Sequence, residues 1–193
     1  MTVAERAAAY SARWPERPPL QVHGECIYGL WVIGNDYHRS NPTWGAYPNG
    51  FLERVTTAWP ELPRLHAFAG GVHDPEPKAV TLDIRPECAA DITGDVLDAG
   101  WLFHGDRFAV VMADPPYDAK ACRVYGTKPL LTRDVLPALA AVTEPGGHLL
   151  WFSTRPPLWS KRDWEWGGLI GVFTGTNRAM RALTILRRNG GRA

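Results

Sequence analysis

The chain has 193 residues, a formal net charge of +1, and ordinary hydrophobic and charged fractions of 45% and 21%. That length suits one domain with a core that needs no staples, and a near-zero charge argues against any strong global field drawing the chain to nucleic acid or a membrane. Three scattered cysteines, Cys26, Cys88 and Cys122, form no Cys-x-x-Cys pair, which argues against a zinc site or a disulfide framework, and no apolar run has the length of a membrane span or the form of a signal peptide.

The expectation is therefore a soluble, reduced, cytoplasmic protein without a metal. Residues 2–13 are Ala-rich with Glu5, Arg6 and Arg13, a short helix ended by the proline-rich run from Trp14 to Pro19. Residues 26–33 are apolar and β-prone and read as an extra strand or a buried arm. His23 and Cys26 have ligand-like spacing but lack a second ligand pair. Residues 34–50 are dense in Gly, Pro, Asn and aromatic residues. They read as a long ordered loop of the functional kind.

Residues 51–58 look helical, with Pro60 just beyond, and 64–68 form a short strand running into Ala69-Gly70-Gly71. A second strand over 80–84 closes on Asp83 and Arg85-Pro86, and a third short unit over 90–97 holds Asp95. Helical signals between 71 and 114 are weak, so these crossovers read as short or irregular. The run Phe108-Ala-Val-Val-Met112 fits a strand buried on both faces. It stops at Asp114-Pro115-Pro116-Tyr117, because proline lacks the ladder donor and fixes φ.

A polar loop follows over 118–129. Residues 130–142 have helical spacing, with Leu131, Val135, Leu139 and Val142 on one side and Pro137 inside as a late start or kink. Gly146-Gly147 precedes a buried strand over 148–152, and 153–166 reads as a loop carrying Arg155, Lys161 and Arg162. Strands over 169–173 and 179–186 are joined by Gly175-Thr176-Asn177, a hairpin signal. Trp164, Trp166, His104 and His148 read as structural. Alternating short strands and crossovers imply an α/β, mostly parallel sheet with one antiparallel strand at the end. The chain is one domain over 1–193, with 1–44 as an N-terminal extension.

Three successive strand ends carry the residues a nucleotide needs. Gly70-Gly71 permits close approach of a cofactor, Asp83 is placed to accept bonds from ribose hydroxyls, and Asp95 is placed to bond an adenine amino group. With Asp114-Pro115-Pro116-Tyr117 next in order, the chain resembles the S-adenosylmethionine-dependent methyltransferases that act on the N6 amino group of adenine in DNA. Ala67-Phe68-Ala69-Gly70 resembles that family's cofactor turn, and Ala46-Tyr47-Pro48-Asn49-Gly50-Phe51 its upstream motif, which lies against the methionine end of the cofactor.

The resemblance covers about residues 45–186 and implies a Rossmann-like class I sheet of seven strands with the last antiparallel. It implies a catalytic set of Asp114, Pro115, Pro116 and Tyr117, and a cofactor set of Tyr47, Pro48, His66, Ala67, Phe68, Ala69, Gly70, Asp83, Ile84, Asp95 and Val96. The chain departs from the family at the cofactor turn. His66 and Val72 stand where an opening acid and a second spaced glycine are usual, and no separate target-recognition domain is seen.

The chemistry implied is hydrogen bonding of the amino group by the Asp114 carboxylate and the Pro115 carbonyl, with Tyr117 stacking on an extruded base. Arg39, Arg123, Tyr125, Lys128, Arg155 and Lys161 (with Arg162 beside it) are expected on the same edge as a nucleic-acid rim, with Trp44 or Trp159 stacking on flanking bases. The partner expected is DNA, with a homodimer or a second subunit supplying target choice. RNA, cytosine N4 or a protein amide remain alternative targets, and a catalytically silent nucleic-acid-binding subunit is the alternative from another class.

Overall fold

The computed structural model describes residues 1–34, 47–116, 119–174 and 179–190. Helix α1 (Val3–Arg13) starts on a capping box: Thr2 Oγ1 accepts from the Glu5 backbone N–H at 3.2 Å and Glu5 returns the bond to the Thr2 N–H at 2.7 Å. Strands β1 (Gln21–His23) and β2 (Cys26–Ile33) form an antiparallel hairpin. Helix α2 (Phe51–Ala58) follows, then β3 (Arg64–Ala67), β4 (Ala79–Asp83), the two-residue β5 (Ile92–Thr93) and a four-residue helix α3 (Ala99–Leu102). The remaining elements are β6 (Phe108–Ala113), α4 (Ala119–Tyr125), α5 (Thr132–Val142), β7 (Thr143–Ser153), β8 (Trp164–Thr174) and β9 (Ala179–Arg188).

All nine strands join one sheet in the order β1-β2-β8-β9-β7-β6-β3-β4-β5. From β8 to β5 this is the seven-stranded class I methyltransferase sheet, in which only β9 runs antiparallel to its neighbours. The seven strands implied by the resemblance are thus present, and the N-terminal hairpin extends them to nine. It docks because Ile27, Trp31 and Ile33 of β2 point into the core while β2 pairs in parallel with β8. Gly168 makes this approach feasible. Its φ is +131°, and a Cβ there would lie 1.9 Å from the Ile27 carbonyl oxygen.

Each face of the sheet has its own core. On one face α1 and α2 pack Tyr10, Phe51, Val55 and Trp59 against Trp31, Met112, Phe152 and Ile170. On the other, α3 and α5 pack Phe103, Val135 and Leu139 against Leu65, Val111, Leu149 and Trp151. Pro137 sits inside α5, which runs unbroken from Thr132 and corrects the expectation of a late start. The β3–β4 crossover has no helix, as its Gly70, Gly71, Pro75 and Pro77 forbid one. The β7–β8 crossover is also non-helical, and there Trp159 stacks on Trp166 with ring centres 5.3 Å apart. Strand β8 begins at Trp164, within the stretch read as loop, because the indole is buried and its Nε1 reaches the Leu136 carbonyl at 3.4 Å.

Candidate active site

Strands β3, β4, β5 and β6 are parallel, so their carboxyl ends share one edge, where open α/β sheets bind ligands. A groove of about 760 Å³ runs there from Phe68 and Asp83 past Gly94, Asp95 and Val96 to Pro116, Tyr125 and Lys128. It continues into a tighter recess lined by Tyr47, Ala69, Gly70, Asp114 and Pro115. The volume is that of an ordinary small-molecule site.

The tip of β6 presents Asp114 with its side chain 14% exposed, so the carboxylate is reachable but largely dry. Arg181 of β9 approaches it to 3.9 Å and lies 4.8 Å over the Phe152 ring. Phe152 in turn packs on Phe51 at 4.4 Å, and Phe51 on Tyr47 at 5.0 Å, an aromatic wall beside the acid. Sequence reasoning passed over Arg181. Strand alternation was the available signal, since 181 shares a face with the buried Leu183 and Ile185.

At the end of β3 the backbone turns through two left-handed residues, Phe68 (φ 60°) and Gly70 (φ 55°). For phenylalanine this is an uncommon, strained conformation, and such strain gathers at ligand sites. The turn lets the Gly70 N–H donate to Asp83 Oδ2 at 2.8 Å. Asp83 Oδ1 accepts from the backbone N–H and the Nε of Arg85 at 3.0 and 3.1 Å. Burial opposes ionisation of Asp83, but the Arg85 side-chain bond, the two backbone bonds and the Arg85 charge outweigh it and hold its pKa below the usual carboxylate value. The Arg85 guanidinium also sits 5.0 Å over Tyr125, tying the end of β4 to α4.

His66 is fully buried behind Tyr47. The Tyr47 hydroxyl and His66 Nδ1 are 3.3 Å apart, and His66 Nε2 lies 3.0 Å from Asp74 Oδ2. Arg64, also buried, makes an ion pair with the same Asp74 oxygen. Burial of Asp74 works against its charge, yet bonds from His66, the Glu76 backbone N–H and Arg64 hold its pKa far below the ordinary value. Burial, first of all, and the Asp114 charge push the Tyr47 hydroxyl well above its usual pKa. Asp74 comes from the helix-free crossover and supplies an acid behind the turn where the family's pattern has one at position 66.

Among the catalytic set, Asp114, Pro115 and Pro116 line the site, while Tyr117 lies outside the described residues. Tyr47, Phe68, Ala69, Gly70, Asp83 and Ile84 line it as well, and Asp95 and Val96 border its far end. His66 and Ala67 are buried beneath the turn, and Pro48 accepts the Phe51 N–H at the start of α2; none of the three borders the groove.

Arg123, Tyr125 and Lys128 line the groove, and Arg155 lies two residues past the end of β7 on the same edge. Lys161 precedes β8, where its carbonyl accepts from Asn189, at the opposite end of the sheet from Asp114. Lys161 and its neighbour Arg162 are therefore removed from the rim. Arg39 and Trp44 lie outside the described residues.

The resemblance implies S-adenosylmethionine, and the groove fits it on one independent observation. The Thr127 hydroxyl is buried in the groove wall and has no hydrogen-bond partner among the described residues. The Asp83 carboxylate, fixed by the Gly70 and Arg85 backbone N–H groups and the Arg85 side chain, lines the same groove where a ribose would lie.

No protein-family model and no curated protein sequence matches the chain. Solved structures match it distantly. TrmN from Thermus thermophilus is 12% identical with a TM-score of 0.47 over 94% of this chain and 48% of its own, so the chain spans about half of TrmN. The N-methyltransferase NodS from Bradyrhizobium japonicum WM9, in complex with S-adenosyl-l-homocysteine, is 14% identical with a TM-score of 0.41 over 84% of this chain and 78% of its own. The strand order and directions define the fold.

Proposed function

We propose that this chain is an S-adenosylmethionine-dependent methyltransferase that acts on the exocyclic N6 amino group of adenine in DNA. The observation that carries the reading is Asp114-Pro115-Pro116 at the carboxyl end of the central strand β6, beside the Gly70 turn and the Asp83 carboxylate. An exocyclic amino nitrogen is a poor nucleophile because its lone pair is delocalised into the ring. The Asp114 carboxylate and the Pro115 carbonyl accept its two hydrogens and draw the lone pair back onto nitrogen. Their effect is greatest if they fit the developing tetrahedral, positively charged nitrogen.

Two consecutive prolines suit this task because their stiff backbone holds the carbonyl without reorganising at the moment of reaction. Asp83 binds the ribose, Asp95 and Val96 the adenine of the cofactor, and Tyr47 with Phe68 to Gly70 the methionine end. When bound, the cofactor supplies an electrophilic methyl group. Tyr117, assigned from the resemblance, stacks on the base, which must leave a duplex to reach Asp114. Arg123 and Lys128 provide local positive charge for phosphates in a chain whose net charge is only +1.

The test is transfer of labelled methyl from S-adenosylmethionine to DNA, with total RNA assayed in parallel. Incorporation into N6-methyladenine in DNA is expected, and Asp114→Ala is expected to lower the rate about 10²–10³-fold in a folded protein. Labelling confined to RNA moves the substrate. A variant as fast as its parent removes Asp114 from the chemistry, and an inert parent favours a silent binding subunit.

A further inference from the structure

The methyl donor carries an α-ammonium group on its methionine end, and an acid at position 66 would be its usual partner in the family this chain resembles. Here position 66 is a buried histidine that does not reach the groove. The hydrogen-bond roles behind it follow from charge. Asp74 is an anion and can only accept, so His66 Nε2 donates to it. Arg64 already neutralises Asp74, and a second buried cation on that carboxylate would carry a desolvation cost without a counter-charge.

In the tautomer that donates from Nε2 alone, Nδ1 is bare and accepts the proton of the Tyr47 hydroxyl 3.3 Å away. What remains on the Tyr47 oxygen is acceptor capacity alone. Tyr47 is more exposed than His66, 8% against 0%, and it shares the recess with Gly70 and Asp114.

We propose that the Tyr47 hydroxyl, fixed as an acceptor by His66 and Asp74, binds the α-ammonium group of the methyl donor in place of the missing acid. The target amino group has two hydrogens, and Asp114 and the Pro115 carbonyl account for both, so Tyr47 is not needed on the base. An ammonium offers three donors in a recess whose acidic members among the described residues, Asp83 and Asp114, already face Arg85 and Arg181. A neutral oxygen pinned as an acceptor fills that gap without adding a buried charge. His66 and Asp74 are positioning residues in this scheme, and Tyr47 is the contact.

The inference rests on the methyl-donor reading above, and one titration separates the two. Equilibrium binding is measured for S-adenosylhomocysteine and for its deaminated analogue, which keeps the carboxylate and lacks the ammonium. The parent is expected to prefer the first by about tenfold or more, as for a hydrogen bond to a charged group. In Tyr47→Phe, which keeps the ring on Phe51, that ratio is expected to fall towards one while the deaminated analogue binds as before. Because the ratio is taken within one protein, partial misfolding cancels. An unchanged ratio in Tyr47→Phe overturns the Tyr47 assignment and leaves the methyl-donor reading standing. A parent that binds neither compound overturns both.

Discussion

Asp74 shows how much a single loop carboxylate can hold in this chain. It receives Arg64 and His66, both buried, and the Glu76 backbone N–H at 3.1 Å. Asp74→Ala would leave the Arg64 guanidinium buried without a counter-charge, a loss on the order of 3–5 kcal/mol. Urea unfolding at pH 7 is the measurement, and a midpoint close to that of the parent would refute the claim.

The pH dependence follows from the direction of its shift. The folded pKa is depressed, so the stabilisation is complete above the unfolded carboxylate value near 3.9 and is lost as pH falls from there. The gap between parent and variant should therefore narrow below about pH 4. His148 runs the other way round. Burial, helped by the Arg6 charge, depresses its pKa to about 3, so the folded state keeps it neutral. Stability is drained by protonation of the unfolded chain as pH falls through about 6.5, by at most about 1.4 kcal/mol per pH unit. His148→Gln should flatten the stability profile between roughly pH 6 and pH 4, where Asp74 contributes little slope.

Among the elements, the N-terminal hairpin depends on one glycine. Any side chain at Gly168 meets the β2 backbone, and the φ of +131° is itself strained for an L-residue. Gly168→Ala should cost about 1–3 kcal/mol from the backbone alone. Amide exchange should rise first in residues 26–33, while β6 and β3 stay protected if the seven-stranded core stands without the hairpin. Several elements were legible because their signals are local. Strand β2 and helix α2 occupy the bounds read from hydrophobic pattern and flanking prolines, and the β6 run ends at the prolines that forbid its ladder.

What escaped was decided by tertiary contact. Asp74 lies in a Gly- and Pro-rich segment that looks like any solvated turn. Its side chain is buried because Arg64 and His66 of β3 turn towards it. Arg85 read as a turn residue next to Pro86; its bonds to Asp83 are local, but its seat on Tyr125 needs α4 folded back over the groove. Lys161 was misplaced because the β7–β8 crossover travels the full length of the sheet without a helix to mark the return.

At the scale of the whole molecule, the groove joins parts that are distant in the chain: Tyr47 ahead of α2, the β3 turn, the ends of β4 and β5, Asp114, and the stretch from Arg123 to Lys128. A ligand that touches all of them stabilises the fold as a unit, by about 2.7 kcal/mol at a hundred times its dissociation constant. In a domain of this size each kcal/mol raises the melting temperature by about 2–4 °C, so saturating S-adenosylmethionine should raise it by about 5–10 °C. The shift also divides the labour within the site. If Asp114 serves the base and not the methyl donor, Asp114→Ala should melt 5–10 °C higher with the cofactor, as the parent does, although it transfers the methyl group about 10²–10³-fold more slowly. Loss of the shift in that variant would mean that Asp114 holds the cofactor, and the acceptor pair for the amino group would have to be sought elsewhere on the same edge.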